Sequence, residues 1–248
     1  MLANNAFGID LGTRTIKIYN AHSDNVIVEK NMIAIEDKKN LFAYGDSAFE
    51  MFEKAPSSIE ISYPLCNGVI ADIKNMQLIL KNFILDCNKG VVKPAEFYIA
   101  VPSDITEVEK RAFSDLVKDA NIKAKKILRV EKAVADGLGL DIDVKNAQGI
   151  LVVNVGFHTT EISILSLGGI VLSRLIKVGG QKFDESIKNA IRKEFSLIVG
   201  SKTAENVKID LRELEEKSCC IWQRYCDRAS YGKGDTDGFS EREYAREF

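Results

Sequence analysis

The chain opens with alternating apolar and polar residues. The runs "FGIDL" and "TIKIYNA" flank the short segment "GTR", and this pattern predicts a hairpin of two strands. The next run, "NVIVEKNMIAI", stays strand-like to about residue 35. Residues 36–76 are mixed and favour a short helix followed by a loop that contains Pro and Ser.

The middle of the chain alternates between strand and helix patterns. Residues 76–87 carry apolar side chains at helical spacing, and residues 96–102, "EFYIAVP", predict a buried strand. Thr106 is followed three residues later by Glu109, a capping-box pattern that predicts the start of another helix. The segments "KKILRV" and "EKAVADGLGL" then predict a strand and a helix.

The last clear patterns are three strands and an amphipathic helix. The strands are "GILVVNV", "TEISILSL" and "GIVLSRLIKVGG", and the helix is "FDESIKNAIRKEF". The first two of these strands repeat the opening hairpin at a constant offset of 144 residues. Asp10 falls on Asn154, and Gly12 falls on Gly156. The repeat predicts two similar halves, each a mixed sheet with helices, whose hairpins face each other.

Tight turns of this kind can bind phosphate. Consecutive backbone N–H groups in such a turn point into one concavity and form an anion-binding nest. A carboxylate at the end of the first strand, here Asp10, can hold Mg²⁺ through water. Two facing hairpins would clamp a polyphosphate, whereas either hairpin alone is also compatible with an ordinary β-turn.

Composition narrows the function class. The chain has 248 residues, of which 46% are hydrophobic and 28% are charged, with a net charge of −2. These values fit a globular protein with a sizeable core. The net charge does not indicate a nucleic-acid-binding surface. No apolar stretch approaches the length of a spanning helix and no secretory signal is evident, so we expect a cytoplasmic protein.

The five cysteines lack a regular spacing, which predicts reduced thiols rather than a disulfide framework. Cys219, Cys220 and Cys226 cluster near the end of the chain with the single Trp222. A metal or redox site at this cluster is disfavoured, because the ligand spacing is poor and the chain has only two histidines.

Several long motifs carry a family resemblance. "FGIDLGTRTIKIY" and "VVNVGFHTTEISILSLGGIV" resemble the two phosphate motifs of the actin-like ATPases. "PLCNGVIAD", "VPSDITEVEKRA", "SLGGIVLSRLIKVGGQKFDESI" and "GSKTAENVKID" resemble MreB, the family of rod-shape-determining bacterial actins. The resemblance covers residues 6–210. It implies an α/β fold of the actin-like, duplicated ribonuclease H-like type, with mixed sheets, flanking helices and an incomplete second half.

The resemblance also implies a nucleotide site for ATP and Mg²⁺. The implied phosphate and nucleotide contacts are Asp10, Gly12, Thr13, Lys17, Asn154, Gly156, Phe157, His158, Thr159, Gly179, Gly180, Asp184, Glu205 and Lys208. Asp10 would hold Mg²⁺ through water. Without the resemblance, Glu205 and Lys208 also fit a solvated pair on one helix face.

The chain departs from the family pattern in its hydrolytic residues. Asn154 stands where the family has an Asp, and Phe157 and His158 replace two glycines. Lys132 stands at the position of the acid that orients the attacking water, with Glu131 one residue earlier. These changes predict weak or absent hydrolysis, although drift that leaves nucleotide binding intact is the other interpretation. A ring at position 157 could occupy the place of the γ-phosphate or twist the turn.

The resemblance divides the chain into three parts. Residues 1–145 form the first half, with a small inserted subdomain at about 34–76, and residues 146–210 form an incomplete second half. Residues 211–248 match nothing in the family. Codons for "SCCIWQRYCDRASYGKGDT" can be chosen so that the next reading frame encodes the family-like "GRDIVTGLP". A frameshift between about residues 211 and 218 is therefore expected.

The implied function is a filament-forming, ATP-binding bacterial actin that guides cell-wall synthesis at the inner face of the cell membrane. Its partners would be further copies or a paralogue, the membrane surface and cell-wall synthesis proteins. Val91 and Val92 lie in a loop that either contacts the membrane or is simply exposed. A non-hydrolysing scaffold that assembles with a paralogue and a non-functional truncated product remain alternatives, whereas a sugar or acetate kinase is disfavoured.

Overall fold

A computed structural model describes residues 5–91 and 93–212, with side chains to residue 210. Within these residues the chain forms thirteen strands and six helices. The strands are β1 (Ala6–Leu11), β2 (Thr15–Asn20), β3 (Asn25–Lys30), β4 (Ile33–Glu36), β5 (Asn40–Tyr44), β6 (Ile59–Ser62), β7 (Leu65–Cys66), β8 (Val69–Ile70), β9 (Ala95–Val101), β10 (Ala124–Glu131), β11 (Ile150–Val155), β12 (Thr160–Ser166) and β13 (Gly169–Ile176). The helices are α1 (Gly45–Met51), α2 (Ile73–Cys87), α3 (Glu107–Asp119), α4 (Lys132–Gly139), α5 (Gly180–Phe195) and α6 (Ser201–Arg212).

The first sheet has five strands in the order β10-β9-β1-β2-β3. The strands β1, β2 and β3 are antiparallel neighbours, while β9 runs parallel to β1 and β10 runs parallel to β9. Asp10 lies opposite Lys17 in the β1–β2 pair, so the two side chains share one face of the sheet. The opening hairpin is thereby confirmed.

The opposite face of this sheet carries the main core. Phe7, Ile9, Ile16 and Ile18 are buried there in one cluster with apolar side chains of α2 and α3. Because side chains alternate across a strand, Gly8, Asp10, Lys17 and Tyr19 lie on the other face. The period-two pattern of the sequence therefore places Asp10 away from the core.

The second sheet is antiparallel, in the order β11-β12-β13, and packs against α4. Its small core contains Ala133, Val144, Val152 and Leu165. The strands β11 and β12 and the turn between them form a second hairpin like that of β1 and β2, as the repeat predicted. All three strands predicted in this region are present.

Residues 33–62 form a small separate sheet in the order β5-β4-β6, packed against α1. The sequence predicted the helix but only a loop around it. The strand expected to continue to residue 35 is two strands, because Asn31 and Met32 are buried and leave the ladder between β3 and β4. The turn from β4 to β5 places Asp37 and Lys38 at positive φ, which the pattern of apolar residues does not reveal.

Helix boundaries follow their caps. The capping box is confirmed, since the Thr106 hydroxyl accepts from the Glu109 N–H and the Glu109 carboxylate accepts from the Thr106 N–H. The helix predicted from residue 76 begins earlier, at Ile73, because the Asp72 carboxylate accepts from the Asn75 N–H. Within the described residues no helix combines the length and apolar character needed to cross a membrane.

The chain divides into two compact units, Met1–Lys182 and Phe183–Phe248. The first unit contains all thirteen strands described above. The second unit is described only to residue 212 and contains most of α5 and all of α6. The division into actin-like halves at residue 145 stays a prediction. The tail beyond residue 212, with its cysteine cluster, lies outside the described residues, and the expected frameshift stays a prediction.

Candidate functional site

The two hairpin turns close in the same way. A Cβ added to Gly12 would lie 2.5 Å from the Thr15 carbonyl oxygen, and one added to Gly156 would lie 2.9 Å from that of Thr159. The Gly156 N–H donates to the same Thr159 oxygen at 2.8 Å. Both turns therefore require glycine because the backbone approaches itself closely. The two copies of the repeat, 144 residues apart, therefore share their turn geometry as well as their amino-acid pattern.

A buried asparagine supports the first turn from behind. The Asn31 side-chain amide donates to the Gly12 carbonyl at 2.9 Å, and the Asn31 N–H donates to the Arg14 carbonyl at 3.0 Å. Asn31 is fully buried. The sequence analysis missed this residue, whose only signal is a polar side chain inside the apolar run "NMIAI".

The second turn is held by the start of α5. The Gly180 N–H donates to the Gly156 carbonyl at 2.9 Å, and the Gln181 N–H donates to the Phe157 carbonyl at 2.8 Å. A Cβ on Gly179 would lie 2.6 Å from both carbonyl oxygens. The "GG" motif therefore brings a helix N-terminus directly against the turn. The structure assigns Gly179 and Gly180 a turn-supporting role, and contact with a nucleotide stays a prediction.

Asp10 lies between two lysines. Lys132 Nζ is 2.7 Å from Asp10 Oδ1, and Lys17 Nζ is 3.0 Å from Asp10 Oδ2. Burial alone raises the pKa of Asp10, but the charges of and hydrogen bonds from the two lysines outweigh it and hold that pKa below its ordinary value of 3.8. Asp10 is therefore a carboxylate at neutral pH, with an ammonium on each oxygen.

These residues do not fit the Mg²⁺ site that the family resemblance implies. Both oxygens of Asp10 are engaged by cations that would repel a divalent ion. Among residues 5–91 and 93–212, no group of three or more His, Cys, Asp or Glu side chains could hold a metal ion. The expectation that Asp10 binds Mg²⁺ through water gains no support from its surroundings.

Asn154, the second-turn counterpart of Asp10, is also engaged. Its side-chain amide donates to Asp136 Oδ2 at 2.5 Å. Asp136 lies on α4, one turn after Lys132, so the same helix provides a partner for both Asp10 and Asn154. The sequence analysis missed Asp136, because the pairing joins residues 18 positions apart through the fold.

Phe157 and His158 lie in an aromatic cluster between the two hairpin tips. The Phe157 ring stacks on the His158 imidazole with centroids 5.0 Å apart and also packs against Tyr63. The Arg14 guanidinium of the first tip lies 5.0 Å from the Phe157 ring centre and 4.3 Å from that of Phe49. This arrangement connects the two tips through a cation–π contact.

Neither bulky residue of the second turn has a positive φ. Phe157 and His158 are outside the positive-φ region, so the backbone here does not require glycine. His158 Nδ1 accepts a hydrogen bond from the Asn67 N–H at 3.3 Å. The Phe157 ring packs on Arg14, and its effect on the γ-phosphate position or the twist of the turn stays a prediction.

The remaining candidate site residues of the first unit differ in how far their side chains are exposed to solvent. Thr13 is buried in the first turn, and Thr159 is half-buried in the second. Glu131 ends β10 with an exposed side chain that makes no capping bond to α4. Glu161 is buried, accepts from the Ser103 N–H at 2.9 Å, and was missed by the sequence analysis.

In the second unit, Lys208 pairs with Asp184. Their Nζ and Oδ1 atoms are 2.7 Å apart, and the Asp184 side chain is buried. Glu205 is half-buried on the same helix as Lys208. Lys208 is therefore a structural partner of Asp184 and not simply a solvated lysine. The contact of Glu205 and Lys208 with the nucleotide stays a prediction, as does that of Asp184.

Comparison with known proteins identifies the family of this chain. The family model described as "MreB/Mbl protein" matches residues 4–219. The cell shape-determining protein Mbl of Bacillus subtilis (strain 168) is 35% identical over 204 residues, which cover 82% of this chain and 61% of Mbl. The chain thus spans about 61% of the length of this curated relative.

Solved structures show the same fold. Crystal structures of MreB5 of Spiroplasma citri bound to ADP and to AMPPNP match with TM-scores of 0.75 and 0.76 at 34% and 35% identity. The matches cover 83% and 82% of this chain and 62% and 61% of those chains. The fold is therefore actin-like and incomplete relative to these structures, and the chain belongs to the MreB/Mbl family.

Proposed function

We propose that the chain binds ATP through its two turns. The observation that carries this proposal is the pair of turns with equivalent glycine closures, Gly12 against Thr15 and Gly156 against Thr159. Turns with exposed N–H groups suit phosphate oxygens. The MreB5 structures with ADP and AMPPNP, at 34% and 35% identity, support the nucleotide assignment.

We further propose that ATP is hydrolysed slowly or not at all. An ammonium has three donors and no acceptor, so charged Lys132 cannot accept a proton from an attacking water. Glu131, the adjacent acid, is exposed and one residue outside α4. Asn154 carries no charge and is bonded to Asp136.

The biological role proposed is that of a cytoskeletal protein. The curated relatives are named cell shape-determining proteins, which supports a role in cell shape. Filament formation by copies of this chain or with a paralogue belongs to the same proposal. Guidance of cell-wall synthesis from the cytoplasmic face of the membrane belongs to the same proposal. Val91 is exposed in the loop suggested for membrane contact, whereas Val92 lies outside the described residues.

A second candidate is a non-hydrolysing scaffold that assembles with a standard paralogue. The contact of Lys132 with Asp10 favours it, since a cation lies where the family resemblance implies a hydrolytic acid. Purified chain mixed with such a paralogue should then enter its filaments in a sedimentation assay. The encoding DNA across residues 205–248 tests the other alternative, a truncated product, by showing whether the reading frame shifts.

An ATP titration by calorimetry tests nucleotide binding. The 248-residue chain should show one saturable site. Gly156→Ala should weaken ATP binding by about tenfold or more, because its Cβ would meet the Thr159 oxygen and move the turn. Gly139→Ala is the matched control, since nothing lies within 4 Å of its added Cβ. A wild-type chain that gives no saturable ATP signal would contradict the proposal.

A further inference from the structure

The position that most needs explanation is Lys132. Its side chain is 19% exposed, and its Nζ reaches Asp10 Oδ1 at 2.7 Å across 122 residues of sequence. A partly desolvated ammonium interacts more strongly with anions than one in bulk water. The contact therefore places a fixed positive charge beside the end of the first phosphate hairpin.

Lys17 adds a second positive charge at the same carboxylate. Its Nζ lies 3.0 Å from Asp10 Oδ2, and its side chain is 53% exposed. The two ammonium groups carry two positive charges against the single charge of Asp10. Each ammonium has three donors, so after its bond to Asp10 it retains further N–H groups for an anion.

Asp10 and its second-turn counterpart Asn154 are already engaged by other side chains. Asn154 is neutral, and its amide points an N–H at Asp136, whose carboxylate accepts that bond at 2.5 Å. Mg²⁺ prefers oxygen ligands in near-octahedral geometry and is bound through carboxylates and its own waters. Here both oxygens of Asp10 already accept charge-assisted hydrogen bonds from lysines.

We propose that this site binds the polyphosphate of a nucleotide without a divalent cation, with the Lys132 ammonium in the place of the metal. The inference rests on the proposed function, nucleotide binding. Lysine binds phosphate as a point charge, and this one is positioned by a carboxylate that needs no metal. Lys17 supplies the second charge and orients Asp10 from its other side.

The proposal makes a direct prediction about chelation. The chain is stripped of metal with EDTA, and ATP binding is measured by calorimetry in excess EDTA and in excess MgCl₂. The two dissociation constants should agree within about threefold. ATP binding that requires MgCl₂ would overturn the inference and leave the proposed nucleotide binding standing. Failure to bind ATP in either buffer would overturn both.

A charge reversal tests the role of Lys132 itself. Lys132→Glu should weaken ATP binding in EDTA by more than about tenfold, and MgCl₂ should recover part of that loss. Lys132→Met removes the cation without adding a carboxylate and should weaken ATP binding in EDTA. Lys125→Glu is the matched control, because it makes the same charge change at an exposed lysine of β10.

The comparison of ATP binding in EDTA and in MgCl₂ uses wild-type protein alone. It therefore tests the inference even if a variant misfolds. Thermal melts of each variant show which ones are folded. A folded Lys132→Met that binds ATP in EDTA as tightly as wild type would also overturn the inference.

Discussion

At the residue scale, the carboxylate of Asp10 shares its two oxygens between two lysines. The carboxylate is stabilised in its charged form, because the pair of cations outweighs the effect of burial. Lys132 brings one of these two cations, at the position where the family resemblance implies an acid. The loss of a hydrolytic acid at this position stays a prediction.

The lowered pKa of Asp10 predicts a pH-dependent contribution to stability. Because the folded-state pKa lies below the ordinary 3.8, the contribution is present above about pH 3.8 and is lost as pH falls through the lower folded-state value. Asp10→Asn should therefore lower the free energy of unfolding at neutral pH, and its difference from wild type should shrink below pH 3.8.

Urea unfolding across a pH series measures this difference. Asp115→Asn is the control, since Asp115 forms only an exposed pair with Arg111 on α3. A destabilisation by Asp10→Asn that stays constant from neutral pH to about pH 3 would contradict the assignment.

Gly12 makes a second residue-scale prediction. Gly12→Ala should destabilise the chain by about 1–3 kcal/mol, because the added Cβ would lie 2.5 Å from a backbone oxygen. Gly139→Ala, in open space at the end of α4, should be neutral or slightly stabilising. Equal unfolding free energies for the two variants in urea would show that the turn can relax.

Sequence reasoning found Asp10, Gly12, Gly156 and Lys132 because local motifs carry them. It did not find the contact between Asp10 and Lys132, which depends on how β1 and α4 meet in three dimensions. Asp136 and Asn31 were missed for the same reason, since their partners are distant in sequence. Motifs identify residues, whereas their pairing requires tertiary structure.

At the element scale, α3 offers the clearest test of local sequence signals. Its capping box satisfies two backbone groups at the helix start. Thr106→Ala should cost about 1 kcal/mol of unfolding free energy. Thr106→Ser keeps the hydroxyl and should retain most of the stability. Urea unfolding of the three proteins decides the point, and an alanine variant as stable as wild type would contradict it.

Elements with strong periodicity or caps were predicted well, and the hairpins, α3 and the strands β11–β13 are confirmed. The strands β5 and β6 were missed because they are short and partly exposed, so their alternation is weak. The role of the α5 N-terminus was also hidden. Its hydrogen bonds to the second turn follow from the close approach of Gly179, which no periodicity reveals.

At the scale of the whole molecule, the chain is a partial actin-like fold. It spans about 61% of the length of Bacillus subtilis Mbl, and its two repeated hairpins lie in one compact unit. The fold class was predictable because several long motifs occur in order. The family model matches residues 4–219 and so extends past residue 210, where the recognised motifs end.

The central proposal is that this family member binds ATP and hydrolyses it slowly or not at all. The most direct test follows ATP binding and phosphate release on the same preparation, with Gly156→Ala as the variant that should bind poorly. We expect saturable ATP binding, with phosphate release that is slow or at the level of protein-free buffer. Phosphate release by wild type at a rate typical of bacterial actins, which saturates with ATP and is lost in Gly156→Ala, would contradict the proposal.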